Sequence, residues 1–166
     1  SGTGFYNPDI VAYATISGGE SAINRQEESP GRWIATLFRR SRIHLDRVFE
    51  PLGLGKGLYL YLALLSRNEG LTQHRLAVEL ALDEGTVARA VQKLMDSGWL
   101  WREKDGRDGR AYRVFLASRA MEAMPDILRE LEAWDRLITK GFNDTEAELV
   151  LGFLKRSAAN ADSIAG

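Results

Sequence analysis

The chain has 166 residues, of which 45% are hydrophobic and 27% are charged, and its formal net charge is −1. This composition is typical of a globular protein, and the length suits one compact domain or a small domain with a dimerisation element. The absence of cysteine excludes a disulfide framework, a cysteine-based zinc site and a thiol nucleophile. No apolar stretch approaches the roughly 20 residues of a membrane span. Because the N-terminus also lacks the pattern of a secretory signal, we expect a cytoplasmic protein.

The first third of the chain changes character at Arg32. Residues 1–31 carry turn markers such as Asn7-Pro8 and are expected to form an N-terminal extension. From Arg32 onward, apolar residues recur at helical spacing, which predicts a long helix that ends at Pro51. The apolar run over residues 58–65 predicts a buried helix rather than a strand, because its alternation breaks down at the end.

Two short amphipathic segments follow with almost no connection between them. Thr72 is expected to cap the first helix and Asp83 the second, and only Ala81-Leu82 lies between the two segments. Gly98 has the position of a helix-terminating glycine. Two short helices joined by so tight a turn predict a helix-turn-helix.

After Gly98 the apolar period changes from helical to alternating. Residues 99–102 and 111–116 each predict a strand. Asp105-Gly106 and Asp108-Gly109 supply turn chemistry between the strands. The sequence therefore predicts a β-hairpin with a charged tip.

The remainder of the chain predicts two helices. Ser118 is expected to cap a long helix in which Pro125 introduces a kink, unless that helix begins later than Ser118. Asn143 and Glu146 have the spacing of a capping box at the start of the last helix. The fold class expected is therefore mainly α with a small β wing.

The outward face of the second short helix carries the residues that best explain a binding function. Once its apolar side is buried, Thr86, Arg89 and Lys93 share one stripe, and a helix of this size fits the major groove of DNA. An arginine in that position can contact guanine through two hydrogen bonds. Gln73 and His74, at the start of the preceding helix, are expected to reach the DNA backbone.

The hairpin tip predicts a second kind of DNA contact. Arg107 and Arg110 lie on a narrow loop and are expected to enter the minor groove, where negative potential favours guanidinium groups. Asp108 is expected to pair with a neighbouring arginine and orient it, because phosphates repel a free carboxylate.

These segments together resemble the MarR (multiple antibiotic resistance regulator) family of transcriptional regulators. The resemblance rests on a tight helix pair, a glycine and an Asp-x-Arg-Asp-x-Arg wing in one order, and it covers roughly residues 32–160. The matching segments are Leu71-Thr-Gln-His-Arg-Leu-Ala77, Leu82-Asp-Glu-Gly-Thr-Val-Ala-Arg89, Leu94-Met-Asp-Ser-Gly-Trp-Leu100 and Asp105-Gly-Arg-Asp-Gly-Arg-Ala111.

The resemblance implies an architecture and a mechanism. Residues 53–117 are expected to form the winged helix-turn-helix DNA-binding domain, and residues 32–52 with 118–162 the helical dimerisation region. A homodimer of this kind reads a pseudo-palindromic operator and most often represses transcription. Many members release DNA when a small aromatic effector binds. Four aromatic residues are candidate effector contacts, with core packing as the alternative: Trp33, Tyr59, Tyr61 and Trp99.

Other function classes receive little support from the residues. The two histidines make a poor metal site without cysteine, and the sequence has neither a catalytic triad arrangement nor a phosphate-binding glycine loop. We therefore expect neither an enzyme nor a bound cofactor. The alternative is a winged-helix protein-interaction module without DNA binding, which the near-neutral charge and the acidic pair Asp83 and Glu84 favour slightly.

Overall fold

The computed structural model describes residues 29–106 and 111–162, and in that part the chain is mainly helical with one small sheet. Most of the predicted extension, residues 1–28, lies outside the described residues. A 3-10 helix over Glu50–Leu52 follows the first helix. The helices are α1 (Pro30–Phe49), α2 (Tyr59–Leu65), α3 (Gln73–Leu80), α4 (Glu84–Asp96), α5 (Ser118–Ile138) and α6 (Asp144–Asp162), and the strands are β1 (Leu71–Thr72), β2 (Leu100–Lys104) and β3 (Tyr112–Leu116).

The chain divides between His44 and Leu45 into two units, so the described residues 29–44 belong to the first and 45–106 and 111–162 to the second. The first unit contains most of α1, and the second contains every later helix and strand. No helix within 29–106 and 111–162 is both long enough and apolar enough to cross a bilayer. The boundaries expected for the DNA-binding and dimerisation regions remain a prediction.

The helix-turn-helix forms as expected, with both predicted caps in place. The Thr72 hydroxyl accepts a hydrogen bond from the Arg75 amide at 3.2 Å, and the Asp83 carboxylate accepts one from the Thr86 amide at 2.8 Å. Each cap satisfies an N–H group that its helix leaves unpaired. Ala81 ends α3 in the left-handed region, with φ of 51°. This backbone turn fits the abrupt change of direction into α4.

The core of the second unit lies beneath this helix pair. It is built from aliphatic side chains on α2, α3, α4, α5 and the sheet, together with a few aromatic rings. Val87 and Val91 of α4 are wholly buried there, and Leu94 is nearly so. Because these three positions share one side of α4, their burial fixes which residues of the helix face outward. Further fully buried members of the core are Leu54, Leu62, Leu65, Leu76, Val114 and Ile127.

The sheet is antiparallel, with strand order β1-β3-β2. β2 pairs with β3 so that Trp101 lies opposite Phe115, as the predicted hairpin requires. β1 is a two-residue strand on the other side of β3 that the sequence did not predict. The Asp105 amide donates to the Ala111 carbonyl at 2.9 Å and closes the base of the hairpin, while the tip, residues 107–110, lies outside the described residues.

Three details differ from the expectations at helix ends. β2 begins at Leu100, because the Trp99 amide still closes the end of α4 by donating to the Leu94 carbonyl at 2.8 Å. Ala117 rather than Ser118 occupies the cap position of α5, without a side-chain cap. That helix begins ahead of Pro125 and continues beyond it, so the later start is wrong.

The last helix begins with the predicted capping box. The Asn143 amide donates to the Glu146 carboxylate at 2.9 Å, and the Glu146 amide donates to the Asn143 side chain at 3.0 Å. No residue of α6 is buried, although it carries an apolar face. Its exposed large apolar residues are Leu149, Val150, Leu151, Phe153 and Leu154.

Two glycines with nearly the same backbone angle allow a matched test of packing at the sheet. Gly98 (φ 73°) and Gly70 (φ 74°) both lie in the left-handed region, but a Cβ at Gly98 meets nothing, whereas one at Gly70 lies 3.0 Å from the Phe115 ring. Gly98→Ala should lower the free energy of unfolding by about 1–2 kcal/mol from backbone strain alone. Gly70→Ala should lower it by a further 1–3 kcal/mol or so, because the ring must move. Urea unfolding of both variants measures the difference, and equal losses would contradict the close packing at Gly70.

Candidate nucleic-acid interface

The outward face of α4 brings together the three side chains that the sequence singled out. Arg89 and Lys93 are exposed and Thr86 is half-buried, on the side of the helix away from the core. The Arg89 guanidinium donates to the Thr86 hydroxyl at 3.0 Å. The predicted stripe therefore exists as a continuous polar surface about two turns long, with its arginine side chain lying toward the start of the helix.

The start of α4 is organised around the Asp83 carboxylate. Hydrogen bonds from the Thr86 side chain and amide, and then the positive charge of Arg89, hold the pKa of Asp83 below its ordinary value. A Cβ at position 85 would lie 3.2 Å from the Asp83 carboxylate and 3.4 Å from the Arg89 guanidinium. Because Gly85 has no Cβ, the Asp83 carboxylate and the Arg89 guanidinium can both lie close to position 85. The ionised cap is therefore engaged by Thr86 and lies near the positive charge of Arg89.

The starts of α3 and α4 are joined by a hydrogen bond that the sequence did not predict. The Nδ1 atom of His74 lies 2.8 Å from a carboxylate oxygen of Glu84, and both side chains are exposed. Gln73, the other predicted backbone contact, is half-buried beside His74. Because the pair connects residues ten positions apart on different helices, it fixes the two helix starts relative to each other. It also gives the second acidic residue of α4 a local partner.

The base of the wing is held by a buried carboxylate. Asp105 is only 8% exposed, and a guanidinium nitrogen of Arg113 lies 2.9 Å from it. The second terminal nitrogen of Arg113 donates to the Gly70 carbonyl at 2.9 Å. This guanidinium thus joins β3, the hairpin base and the turn before β1. Both terminal nitrogens of Arg113 are therefore engaged within the protein.

The predicted tip residues of the wing cannot be placed in the same way. Arg107, Asp108 and Arg110 lie outside the described residues, so their DNA contacts remain a prediction. Two basic residues of the adjacent strand, Arg102 and Lys104, are exposed. Arg102 lies over the Tyr112 ring, with 4.7 Å from the guanidinium carbon to the ring centroid.

The aromatic effector candidates fall into two environments. Tyr59, Tyr61 and Trp99 are buried, and Tyr59 stacks on Phe49 with 4.7 Å between ring centroids. Burial and then the charge of Asp83 raise the pKa of Tyr61. Trp33 is instead 56% exposed on α1. The three buried rings therefore pack in the core of the second unit, and an effector role for any of the four remains a prediction.

Within residues 29–106 and 111–162, no three His, Asp or Glu side chains gather in a way that could hold a metal ion. What the surface offers is a set of oriented donors, chiefly guanidinium, hydroxyl and ammonium groups. Such groups suit recognition of an anionic, hydrogen-bonding partner.

Comparison with known proteins identifies the family. A sequence model of the MarR family matches residues 58–111. The HTH-type transcriptional regulator YybA of Bacillus subtilis (strain 168) is 30% identical over 114 residues, which cover 69% of this chain and 76% of that protein. The chain belongs to the MarR family. The HTH-type transcriptional regulator BilQ of Clostridioides difficile (strain CD3) is 27% identical over 123 residues, covering 74% of this chain and 83% of that protein.

Solved structures agree with the family assignment. A MarR transcriptional regulator from Methanosarcina mazei Go1 is 34% identical, with a TM-score of 0.77, and the match covers 82% of this chain and 99% of that one. A MarR family regulator from Listeria monocytogenes, solved in complex with a 26mer DNA, is 26% identical with a TM-score of 0.75 and covers 78% and 86%. The winged helix architecture of MarR regulators is therefore that of this chain, as the sequence predicted.

The buried ion pair at the wing base has a matched exposed counterpart on α5. Asp105→Asn removes the charge that Arg113 holds, and we expect the free energy of unfolding to fall by about 1.5–3 kcal/mol, as for a charged hydrogen bond. Asp126, whose carboxylate lies 2.7 Å from Arg129 on an exposed surface, provides the control. Asp126→Asn should change stability by less than about 0.5 kcal/mol. Chemical denaturation of both variants makes the comparison, and a loss at Asp126 as large as that at Asp105 would contradict a special role for burial.

Proposed function

We propose that this MarR-family regulator binds duplex DNA sequence-specifically, with α4 in the major groove. The observation that carries the proposal is the outward stripe of Thr86, Arg89 and Lys93 on a helix whose opposite side is fixed in the core. Arg89 makes a bidentate contact to a guanine, worth about 1–3 kcal/mol of discrimination against other bases. Lys93, Thr86 and the start of α3, with Gln73 and His74, contact phosphates and set the register.

The wing supplies the second set of contacts in this proposal. Arg107 and Arg110 enter the minor groove, and Asp108 orients one of them by an ion pair. The anchored base of the hairpin supports this arrangement, because Asp105 and Arg113 hold the two strands just before the tip.

The regulator acts as a homodimer through α1 and α6. Each of these helices, considered by itself, exposes more large apolar residues than a solvated helix needs. A second copy of the chain covers both faces, and the two-fold symmetry of the dimer matches a pseudo-palindromic operator. The exposed apolar residues on α1 are Trp33, Ile34, Leu37, Phe38 and Ile43, and those on α6 are Leu149, Val150, Leu151, Phe153 and Leu154.

The sign of regulation and the response to a ligand follow from the resemblance to the family. The protein represses transcription by occupying its operator in the cytoplasm. A small aromatic effector lowers operator affinity by favouring a dimer whose half-site spacing does not fit one DNA turn.

A winged-helix interaction module without DNA binding is the competing function. Its support is the net charge of −1 and the acidic residues at the start of α4. That support is weakened by the local partners of both acids, since Asp83 caps α4 and Glu84 pairs with His74. Both carboxylates therefore have a hydrogen-bonding partner within the protein.

Selection from a random-sequence duplex library, followed by a salt titration, decides between the two functions. A regulator enriches an inverted repeat and loses affinity steeply as salt rises, because bound cations release counterions from the duplex. An interaction module enriches no sequence. If the selection recovers no duplex, the proposed DNA binding is contradicted.

The wing contributes a measurable share of the salt dependence. Arg107→Ala combined with Arg110→Ala should weaken binding to all duplexes and reduce the slope of log affinity against log salt by up to about 1.8, at about 0.9 per neutralised phosphate. Fluorescence anisotropy at several salt concentrations measures both quantities. Arg129→Ala with Arg136→Ala serves as the control, since both arginines are paired with acids on their own helix. An unchanged slope in the wing variant would exclude the wing from DNA binding.

The apolar face of α6 gives a test of dimerisation. The wild-type protein should have a mass in solution of twice the 18.5 kDa chain. Phe153→Asp places a charge in the proposed interface and should shift the population toward monomer at micromolar concentration. Lys155→Asp alters a solvated position of the same helix and should leave the mass unchanged. Light scattering reports the outcome, and a monomeric wild type or a fully dimeric Phe153→Asp variant would contradict the proposal.

A further inference from the structure

The junction between α4 and α5 is held by an arginine that belongs to neither the DNA-facing surface nor the core. α4 ends at Asp96, and Ser97 follows with its hydroxyl donating to the Lys93 carbonyl at 2.8 Å. The Gly98 amide then donates to the Met95 carbonyl at 2.9 Å. These bonds satisfy carbonyl groups in the last turn of α4. The Ser97 carbonyl follows the end of the helix and needs a donor from another part of the chain.

Arg119, the second residue of α5, supplies that donor. Its guanidinium donates to the Ser97 carbonyl at 2.8 Å. The same guanidinium lies over the ring of Trp99, with 4.1 Å from its carbon to the ring centroid. Trp99 cannot move away, because it is 2% exposed and its carbonyl accepts a hydrogen bond from the Ala117 amide at 3.0 Å. The guanidinium of this exposed side chain thus contacts two groups that the fold holds in place.

The electrostatics favour this contact over the alternative of a solvated side chain. A positive charge at the first turn of a helix is disfavoured by the dipole of its own helix, so α5 alone gives no reason for an arginine at this position. The end of α4 carries the opposite partial charge and attracts a cation. The favourable interaction of Arg119 is therefore with α4 rather than with α5.

The other paired arginines of α5 behave differently. Arg129 pairs with Asp126 and Arg136 with Glu132, each within three or four residues of the same helix. Arg119 instead joins two helices across 22 positions of sequence. It also connects α4, which we propose to lie in the major groove, to the helix that continues the chain toward α6, which we propose to dimerise.

We propose that Arg119 is a positioning residue that fixes the end of α4 against α5 and thereby sets the orientation of the recognition helix in the dimer. The proposal rests on the proposed function. Arg119 does not touch DNA in this account. It acts through Ser97 and Trp99, and any displacement of α5 by a change in the dimer reaches the recognition helix through this contact.

Operator spacing provides a readout that a merely stabilising residue does not move. One base pair inserted between the half-sites rotates them by about 35° relative to each other. The wild-type protein should therefore bind the selected duplex much more tightly than its one-base-pair insertion and deletion variants. In Arg119→Gln, the recognition helix is less firmly oriented, so the native spacing should lose about fivefold or more in affinity and the spacing variants less.

Two further variants complete the experiment. Arg119→Lys keeps a donor for the Ser97 carbonyl but loses the planar stack on Trp99, and it should give an intermediate spacing profile. Arg129→Gln is the matched control and should keep the wild-type profile. The positioning role is overturned if Arg119→Gln weakens binding equally to the native duplex and to both spacing variants. It is also overturned if Arg119→Gln lowers thermal stability and leaves the affinity for all three duplexes unchanged.

Hydrogen exchange tests the same contact without DNA. Arg119→Gln should accelerate exchange of the amides that close α4, Ser97, Gly98 and Trp99, while Arg129→Gln leaves them unchanged. Unchanged exchange in Arg119→Gln would overturn the proposal even if the duplex selection succeeds. If the selection recovers no duplex, the proposed function fails, and faster exchange would still support the contact between α4 and α5.

Discussion

The burial of one side of α4 is the constraint on which the rest of the interface depends. Val87, Val91 and Leu94 are almost completely buried in the core. Because the core is close-packed around these three side chains, α4 cannot rotate about its axis. The identity of the outward residues is then decided by helical geometry alone. Thr86, Arg89 and Lys93 form a surface because the core excludes any other orientation.

Local pairing of acidic groups explains how a nearly neutral chain can present a surface for an anionic partner. Asp83 is held by the helix that it caps, Glu84 by His74, and Asp105 by Arg113. Each contact gives a carboxylate a partner within the protein and joins parts of the winged helix. Affinity in this account comes from a few placed cations rather than from an overall positive field.

Much of this architecture could be predicted from the sequence because it is encoded locally. The caps at Thr72 and Asp83 and the capping box at Asn143 depend on residues at most three positions apart, and apolar spacing identified the buried side of α4. The pairs His74–Glu84 and Asp105–Arg113 could not be predicted, because their partners lie on different elements and no periodicity relates them. β1 could not be predicted for the same reason, because its two residues form a strand only by pairing with β3.

The base discrimination of the recognition helix tests the central claim most directly. The duplex selected by the wild-type protein is varied one base pair at a time, and binding of wild type and Arg89→Ala is measured on every variant. A helix that reads the major groove through Arg89 predicts that the variant loses its preference at one base pair in each half-site, by about 1–3 kcal/mol, and keeps it elsewhere. Uniform weakening across all positions, or an unchanged pattern of preference, would contradict sequence recognition by the outward face of α4.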